Sequence, residues 1–321
     1  MPPNGTFNER GRVDFLVEKV LVACALLSCV IFFAILTESL ERILRHRVNS
    51  IQGSSYKKEI CAVMHNYFSG AFWPRSSRAW LFFARLALAL TGWLFLPIIH
   101  GSPVLFSKRS LIYVVTLLQV QAIFDVVLVC VFKSTFYRLT VYRSVVLSIM
   151  SCFLLLVVLI ALSTWFNTTD LLIIQSSSAG LVLNICLFCA VSFTLLCKNS
   201  LLFFDFTQVT DGLDFFESSS RRNNTLKIKS LTRCVDRVFL CAFLVVLFFD
   251  YKLALHVLIN DIFQLALFLF YTSLLMVFFS FLNVISPFLQ SNTCLTLFRK
   301  YIVPASSIII LISIIRLYIS Q

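Results

Sequence analysis

Residues 238 to 284 read VFLCAFLVVLFFDYKLALHVLINDIFQLALFLFYTSLLMVFFSFLNV, an apolar block that only a few polar residues interrupt. A helix needs about 20 apolar residues to cross the hydrocarbon layer of a membrane, so this block is long enough for two helices. We predict a helical hairpin whose turn lies at residues 250–252, where Asp, Tyr and Lys stand together. A turn at Asn260 is the alternative.

Six further stretches have a similar length and apolar character. They are continuous apolar runs rather than alternating ones, and this pattern favours membrane-spanning helices over a β-barrel. The stretches are 15–36, 79–99, 111–132, 144–166, 171–197 and 301–319. The sequence therefore predicts an all-α polytopic membrane protein with about eight transmembrane helices, and seven is the alternative count.

The composition excludes most other classes of protein. The 321 residues are 59% hydrophobic and 13% charged, and 34 of them are Phe. A soluble domain is about 25% charged, and a disordered chain is poor in aromatic residues. The formal net charge of +12 could suggest nucleic acid as a partner. Because most of the excess falls in loops between spans, it indicates membrane topology instead, and we expect no nucleic-acid binding.

The distribution of basic residues predicts which way the chain crosses the membrane. Of the 27 Lys and Arg, nineteen fall in the loops 37–78, 133–143, 198–237 and 286–300. Cytoplasmic loops carry such an excess. We therefore expect residues 1–14 to form a short outside or lumenal N-terminus, and 15–321 to form one transmembrane helical domain in the plasma membrane or endoplasmic reticulum. The sequons at Asn4 and Asn167 fall on the outside and are candidate glycosylation sites.

Two cytoplasmic loops, 37–78 and 198–237, are long enough to contribute structure of their own. Residues 37–47 continue the first span at helical spacing, and residues 56–73 mix apolar with charged residues as an amphipathic interfacial helix does. Their basic residues would attract anionic lipids of the bilayer. Either loop is also a candidate docking site for a protein partner.

Polar residues inside predicted spans need an explanation, because they are costly in lipid. Gln121 and Asp125 are four residues apart and share one helix face. Together with polar residues of later spans they could line an intramembrane polar pathway; the full set is Gln121, Asp125, Gln175, Asn184, Asn260, Asp261 and Gln264. The alternative is that these groups only hydrogen-bond neighbouring helices. Arg85 could form an ion pair with Asp125, or it could extend its side chain to the cytoplasmic surface.

Motifs of catalysis and cofactor binding are missing from the sequence. No two of the four His stand at metal-ligand spacing, and no HExxH, GxSxG or GxGxxG motif occurs. We expect no catalytic residue, no metal site, no cofactor and no enzymatic activity. Cys197 and Cys234, which end spans on the cytoplasmic side, are candidate palmitoylation sites.

The functional prediction rests on the intramembrane polar residues. They favour a channel or transporter-type protein with a polar pathway through a helix bundle. The alternatives are a divergent chemoreceptor-like receptor with seven or eight helices, and a non-catalytic accessory or scaffold subunit of a membrane complex. The sequence alone does not fix the oligomeric state.

Overall fold

A computed structural model shows an all-helical protein. The structure describes residues 9–48, 77–98, 109–131, 159–176, 223–249 and 257–285, with isolated residues and short stretches within 149–157, 188–192 and 296–318. Six α-helices have defined bounds in these parts: α1 (Glu9–Val48), α2 (Ser77–Trp93), α3 (Ser110–Val131), α4 (Leu171–Ser176), α5 (Asn223–Phe248) and α6 (Val257–Ile285). Residues 159–166 are helical as well. A π-helical segment, Phe298–Ile302, follows.

Three of the helices are long and apolar enough to cross a membrane: Lys19–Ser39 within α1, Ser110–Val127 within α3 and Phe263–Leu282 within α6. Shorter apolar helices cover Trp80–Trp93 and Leu155–Phe166. The protein is therefore an integral membrane protein with a helical fold. The predicted count of about eight spans is not confirmed by the described part of the chain.

Helix α5 occupies the centre of the bundle. The side chains from Ala242 to Val246 are fully buried on all sides of the helix, because α5 contacts α1, α2, α4 and α6. A helix that is apolar around its whole circumference belongs in such a position. The segment Val238–Leu247 therefore serves as the core against which the other helices pack.

The predicted hairpin in residues 238–284 is present, but its first helix is longer than expected. Helix α5 ends at Phe248 and α6 begins at Val257, so Asn260 lies inside α6 and the alternative turn at Asn260 is wrong. The predicted turn at 250–252 falls between the two helices, outside the described residues. Helix α5 starts at Asn223, whereas we predicted a loop over 198–237. The stripe Ile228, Leu231 and Val235 is buried and leads directly into the apolar block, which explains the early start.

Helices α2 and α5 lie in close contact at Gly92. A β-carbon added to Gly92 would lie 3.0 Å from Cε2 of Phe239. The same phenyl ring meets the indole of Trp93 edge-on, with 5.7 Å between ring centroids. The absence of a side chain at Gly92 thus lets the aromatic ring of α5 lie against the backbone of α2, a packing mode common between membrane helices.

The described residues cover only part of the two predicted cytoplasmic loops, 37–78 and 198–237. Helix α1 continues to Val48, so residues 37–48 extend the first span as a helix. Residues 49–76 and 198–222, which hold the rest of the two predicted cytoplasmic loops, lie outside the described residues.

Candidate functional site: a charge network between three helices

Arg85 is the centre of the site. It lies in the middle of α2, and its side chain is buried rather than extended to the membrane surface. Its Nε donates to Oδ1 of Asp125 on α3 at 3.0 Å. The structure therefore brings together the two residues that the sequence suggested as an ion pair, and the alternative of a surface-directed Arg85 is wrong.

A second carboxylate, Asp236 of α5, binds the other edge of the same guanidinium. Nη2 of Arg85 donates to Oδ2 of Asp236 at 2.7 Å, and Nη1 donates to Oδ1 at 3.4 Å. Our sequence reasoning missed Asp236, because it assigned residues 198–237 to a loop. The signal that could have found it is the helical spacing of Ile228, Leu231 and Val235, which places Asp236 inside a helix.

Gln121 strengthens the contact between α2 and α3 one turn away from the ion pair. Its Nε2 donates to the carbonyl oxygen of Leu88 at 3.3 Å. The contact partners of α2 and α3 change in opposite directions. Arg85 contacts Asp125, whereas Leu88, further along α2, contacts Gln121, which comes earlier in α3, so these helices run antiparallel. Between α2 and α5 the contact partners move in the same direction, from Arg85 with Asp236 to Gly92 with Phe239, so these two helices run parallel.

Exposure differs strongly among the three charged side chains. The exposed fraction is 7% for Arg85, 14% for Asp236 and 38% for Asp125. Burial in low dielectric strengthens the attraction between opposite charges, but it also makes each unpaired charge expensive. The guanidinium offers both acids hydrogen bonds in fixed geometry, so the network locks three helices together while Asp125 stays accessible from one side.

A further polar contact joins α1 to α5 beside the network. The thiol of Cys234 lies 3.7 Å from Oε2 of Glu38, and both side chains are buried. Burial of the Cys234 thiol weighs against its modification. Palmitoylation of Cys234 stays a prediction, and Cys197 lies outside the described residues.

The other residues of the predicted pathway are not brought into this network by the described structure. Gln264 is buried in α6, two turns before Tyr271, whose ring contacts that of Phe249 just after the C-terminal end of α5. From Asp236 to Phe249 the chain advances 13 residues, about 20 Å of helix. Gln264 therefore belongs to the other end of α5.

For the remaining pathway residues the structure shows at most the helix in which each residue lies. Gln175 lies in α4, and Asn260 and Asp261 lie in α6. Their side chains, and the whole of Asn184, are outside the described residues. The pathway as a continuous line of seven side chains stays a prediction.

The sequon at Asn167 lies in a turn that is fixed at the opposite end of α3 from Asp125. Asn167 is exposed and adopts a left-handed backbone conformation, with φ of 53°. The hydroxyl of Ser110 accepts from the backbone N–H of Leu171 at 3.0 Å, so the turn is tied to the start of α3. Glycosylation at Asn167 stays a prediction, and Asn4 lies outside the described residues.

No cluster of three His, Cys, Asp or Glu side chains that could hold a metal ion occurs among the described residues. The site is thus built of one guanidinium and two carboxylates, with an amide nearby. Such an arrangement can hold helices in register, exchange a proton at a carboxylate or pair with a further cation.

Comparisons with known proteins identify a similar fold but do not assign the chain to a family. No family model and no curated protein matches the chain. A chain from a solved structure, described as the membrane-bound sulfane sulfur reductase, an archaeal respiratory membrane complex, is similar with a TM-score of 0.76 at 13% sequence identity. The similarity covers 92% of this chain and 99% of that chain. This chain therefore shares the fold of a component of a respiratory membrane complex.

Proposed function

We propose that this protein is an integral subunit of a multi-subunit membrane complex of the respiratory kind. The observation that carries the proposal is the extent of the similarity, which spans 99% of a chain that belongs to such an assembly. A shared fold at 13% identity transfers no chemistry by itself. The proposal is therefore a structural, non-catalytic subunit, the scaffold alternative of the sequence analysis.

The surface of the bundle agrees with a place in an assembly. The first half of the membrane segment of α1 contributes little to the core, since Val20, Leu21, Cys24, Ala25 and Cys29 are all exposed and burial begins at Val30. Leu26 and Leu27 of this half pack against the core, so it is the remaining apolar face of α1 that neighbouring subunits or lipid would cover. Small residues such as Ala25 permit close approach of another helix.

The experiment is extraction of the tagged chain from its own membrane in a mild detergent, followed by native electrophoresis and identification of the co-migrating proteins. We expect the chain to migrate with a fixed set of other membrane and peripheral proteins in constant proportion. Migration as a single chain, or with a set that changes from one detergent to another, would contradict the proposal.

A second candidate function, an ion-conducting pathway, is favoured by the Arg85–Asp125–Asp236 network alone. Ionised side chains inside membrane helices often mark proton or ion routes, and Asp125 combines an ion pair with access from one side. Proton or cation flux into liposomes that contain the protein, lost in Asp125→Asn but kept in Ile123→Ala, is the expected result. Equal flux through both variants would dismiss this candidate. The receptor hypothesis stays a prediction from the sequence.

A further inference from the structure

The contact between Glu38 and Cys234 marks the level at which α1 and α5 leave the membrane. The apolar segment of α1 ends at Ser39, and the buried apolar core of α5 follows Cys234. Both apolar segments must lie in the same hydrocarbon layer, so α1 and α5 run antiparallel. Their ends beyond the contact, 40–48 of α1 and 223–229 of α5, are helical and project together from one membrane face.

Trp80 of α2 lies at the same depth as the start of these projecting ends. Trp80 precedes Arg85 by five residues. Asp236, the ion-pair partner of Arg85, follows Cys234 by two residues. Because α2 and α5 run parallel, the helix rise of 1.5 Å per residue places Trp80 about 5 Å beyond the Glu38–Cys234 contact. Trp80 is 48% exposed. Exposed Trp side chains collect in the headgroup layer, which is about 5–8 Å thick on each face of a bilayer, so the projecting ends start in this layer.

The projecting ends carry more positive than negative charge. Residues 40–48 contain three Arg and one Glu, and residues 223–229 contain two Lys and no acid. The charges around the network balance, with three bases and three acids: Arg85, Arg233, Arg237, Glu38, Asp125 and Asp236. The two projecting ends therefore add a positive excess to this membrane face.

Two of these bases stand opposite each other across the α1–α5 pair. Arg45 follows Glu38 by seven residues. Lys227 precedes Cys234 by seven residues. Seven residues are close to two helix turns, so both positions lie on the helix faces that meet at the contact, about 10 Å beyond it. Ile228, beside Lys227, is 1% exposed, so α5 is still packed at this height. Like charges placed in this way repel each other unless an anion lies between them.

We propose that the facing ends of α1 and α5 bind the phosphate of an anionic phospholipid through Arg42, Arg45 and Lys227. Arg42 follows Glu38 by four residues, so it lies on the same face of α1, about 6 Å beyond the contact and close to the depth of Trp80. Guanidinium and ammonium groups both donate charge-assisted hydrogen bonds to phosphate oxygens. The depth favours a lipid phosphate over a soluble one, because the phosphates of a bilayer lie in the layer that holds Trp80. Binding of a lipid needs no other subunit, so this inference does not rest on the proposed function.

The first test compares two double variants that remove the same charge. Arg45→Gln with Lys227→Gln changes the facing pair. Arg47→Gln with Lys229→Gln is the matched control, because these positions lie on the opposite faces of α1 and α5. Phosphatidylglycerol is added in steps to the purified protein in a neutral detergent, and native mass spectrometry counts the bound lipid. The dissociation constant rises at least about tenfold in the facing-pair variant and less than about threefold in the control, since a base close to an anionic headgroup contributes about 1 kcal/mol.

The second test uses the wild-type chain and does not depend on the stability of a variant. A phosphatidylglycerol with a photoreactive group close to its phosphate is included in nanodiscs that contain the protein, and the labelled peptides are identified after illumination. We expect label within residues 40–48 and 223–229. Excess phosphatidylglycerol reduces this label, whereas phosphatidylcholine and inorganic phosphate leave it unchanged.

Three outcomes would overturn the inference. Equal loss of lipid binding in the two double variants would mean a diffuse attraction to the whole basic surface and no site between the helices. Label that phosphatidylcholine removes as well as phosphatidylglycerol does would mean that the charge of the lipid plays no part. Removal of the label by inorganic phosphate would assign the site to a soluble anion. A chain that binds the lipid but migrates alone would contradict the proposed function only.

Discussion

Nη2 of Arg85 lies 2.7 Å from Oδ2 of Asp236, although 151 positions separate the two residues in the chain. The same guanidinium holds Asp125 from a third helix at 3.0 Å. Helices α2, α3 and α5 therefore meet at one cation, and the antiparallel α2–α3 pair and the parallel α2–α5 pair are joined at the same level.

Removal of Arg85 should destabilise the protein strongly. Arg85→Met leaves two carboxylates without their shared cation, and loss of one partner of a buried ion pair costs about 3–5 kcal/mol. The triple variant Arg85→Met, Asp125→Asn, Asp236→Asn should recover most of this loss, because no unpaired charge remains. Unfolding of the purified protein in detergent with increasing denaturant measures both. A triple variant as unstable as the single one would contradict this account of the network.

The two acids should contribute unequally to stability. Asp236→Asn should lower the free energy of unfolding more than Asp125→Asn, because Asp236 binds two guanidinium nitrogens and its side chain is the less exposed of the two. The difference expected is about 1 kcal/mol, the scale of one hydrogen bond to a charged group after discount for the solvent around Asp125. The same unfolding assay measures it. Equal losses of unfolding free energy in the two variants would mean that exposure does not decide how much each ion pair stabilises the protein.

A side chain at Gly92 should push α2 away from α5. Gly92→Leu places atoms where the ring of Phe239 now lies, since even a β-carbon would be 3.0 Å from it. Overpacking of this kind costs about 1–3 kcal/mol. Ala87→Leu is the control on the exposed side of the same helix and should be nearly neutral. The double variant Gly92→Leu, Phe239→Ala should unfold at a higher temperature than Gly92→Leu alone, and a failure to do so would show that Phe239 is not the obstacle.

Two phenylalanines should respond very differently to truncation. Phe243 in α5 is fully buried, whereas Phe270 in α6 is 60% exposed. Phe243→Ala should cost about 3–5 kcal/mol, because it opens a cavity at the centre of the bundle. Phe270→Ala should change the free energy of unfolding by well under half of that value. Similar losses at both positions would show that α5 is not the core of the fold.

The apolar runs predicted the membrane environment and several helices, because a helix in lipid must be continuously apolar. Residues 223–237 were predicted as part of a loop, whereas α5 starts at Asn223. The reason is physical: Arg233, Asp236 and Arg237 interrupt the hydropathy of α5, and such charges are acceptable in a membrane bundle only where other helices enclose them. Hydropathy of one segment cannot show what encloses it.

The sequence by itself determined that this chain lies in a membrane, that it is helical, and that Arg85 and Asp125 are candidates for an ion pair. These conclusions follow from local properties, namely the length of apolar runs and the cost of isolated charges in lipid. Only the tertiary structure decided that α5 is the central helix, that Asp236 completes the network and that Cys234 is enclosed. Each of these depends on contacts between residues far apart in the chain, which local hydropathy and spacing do not encode.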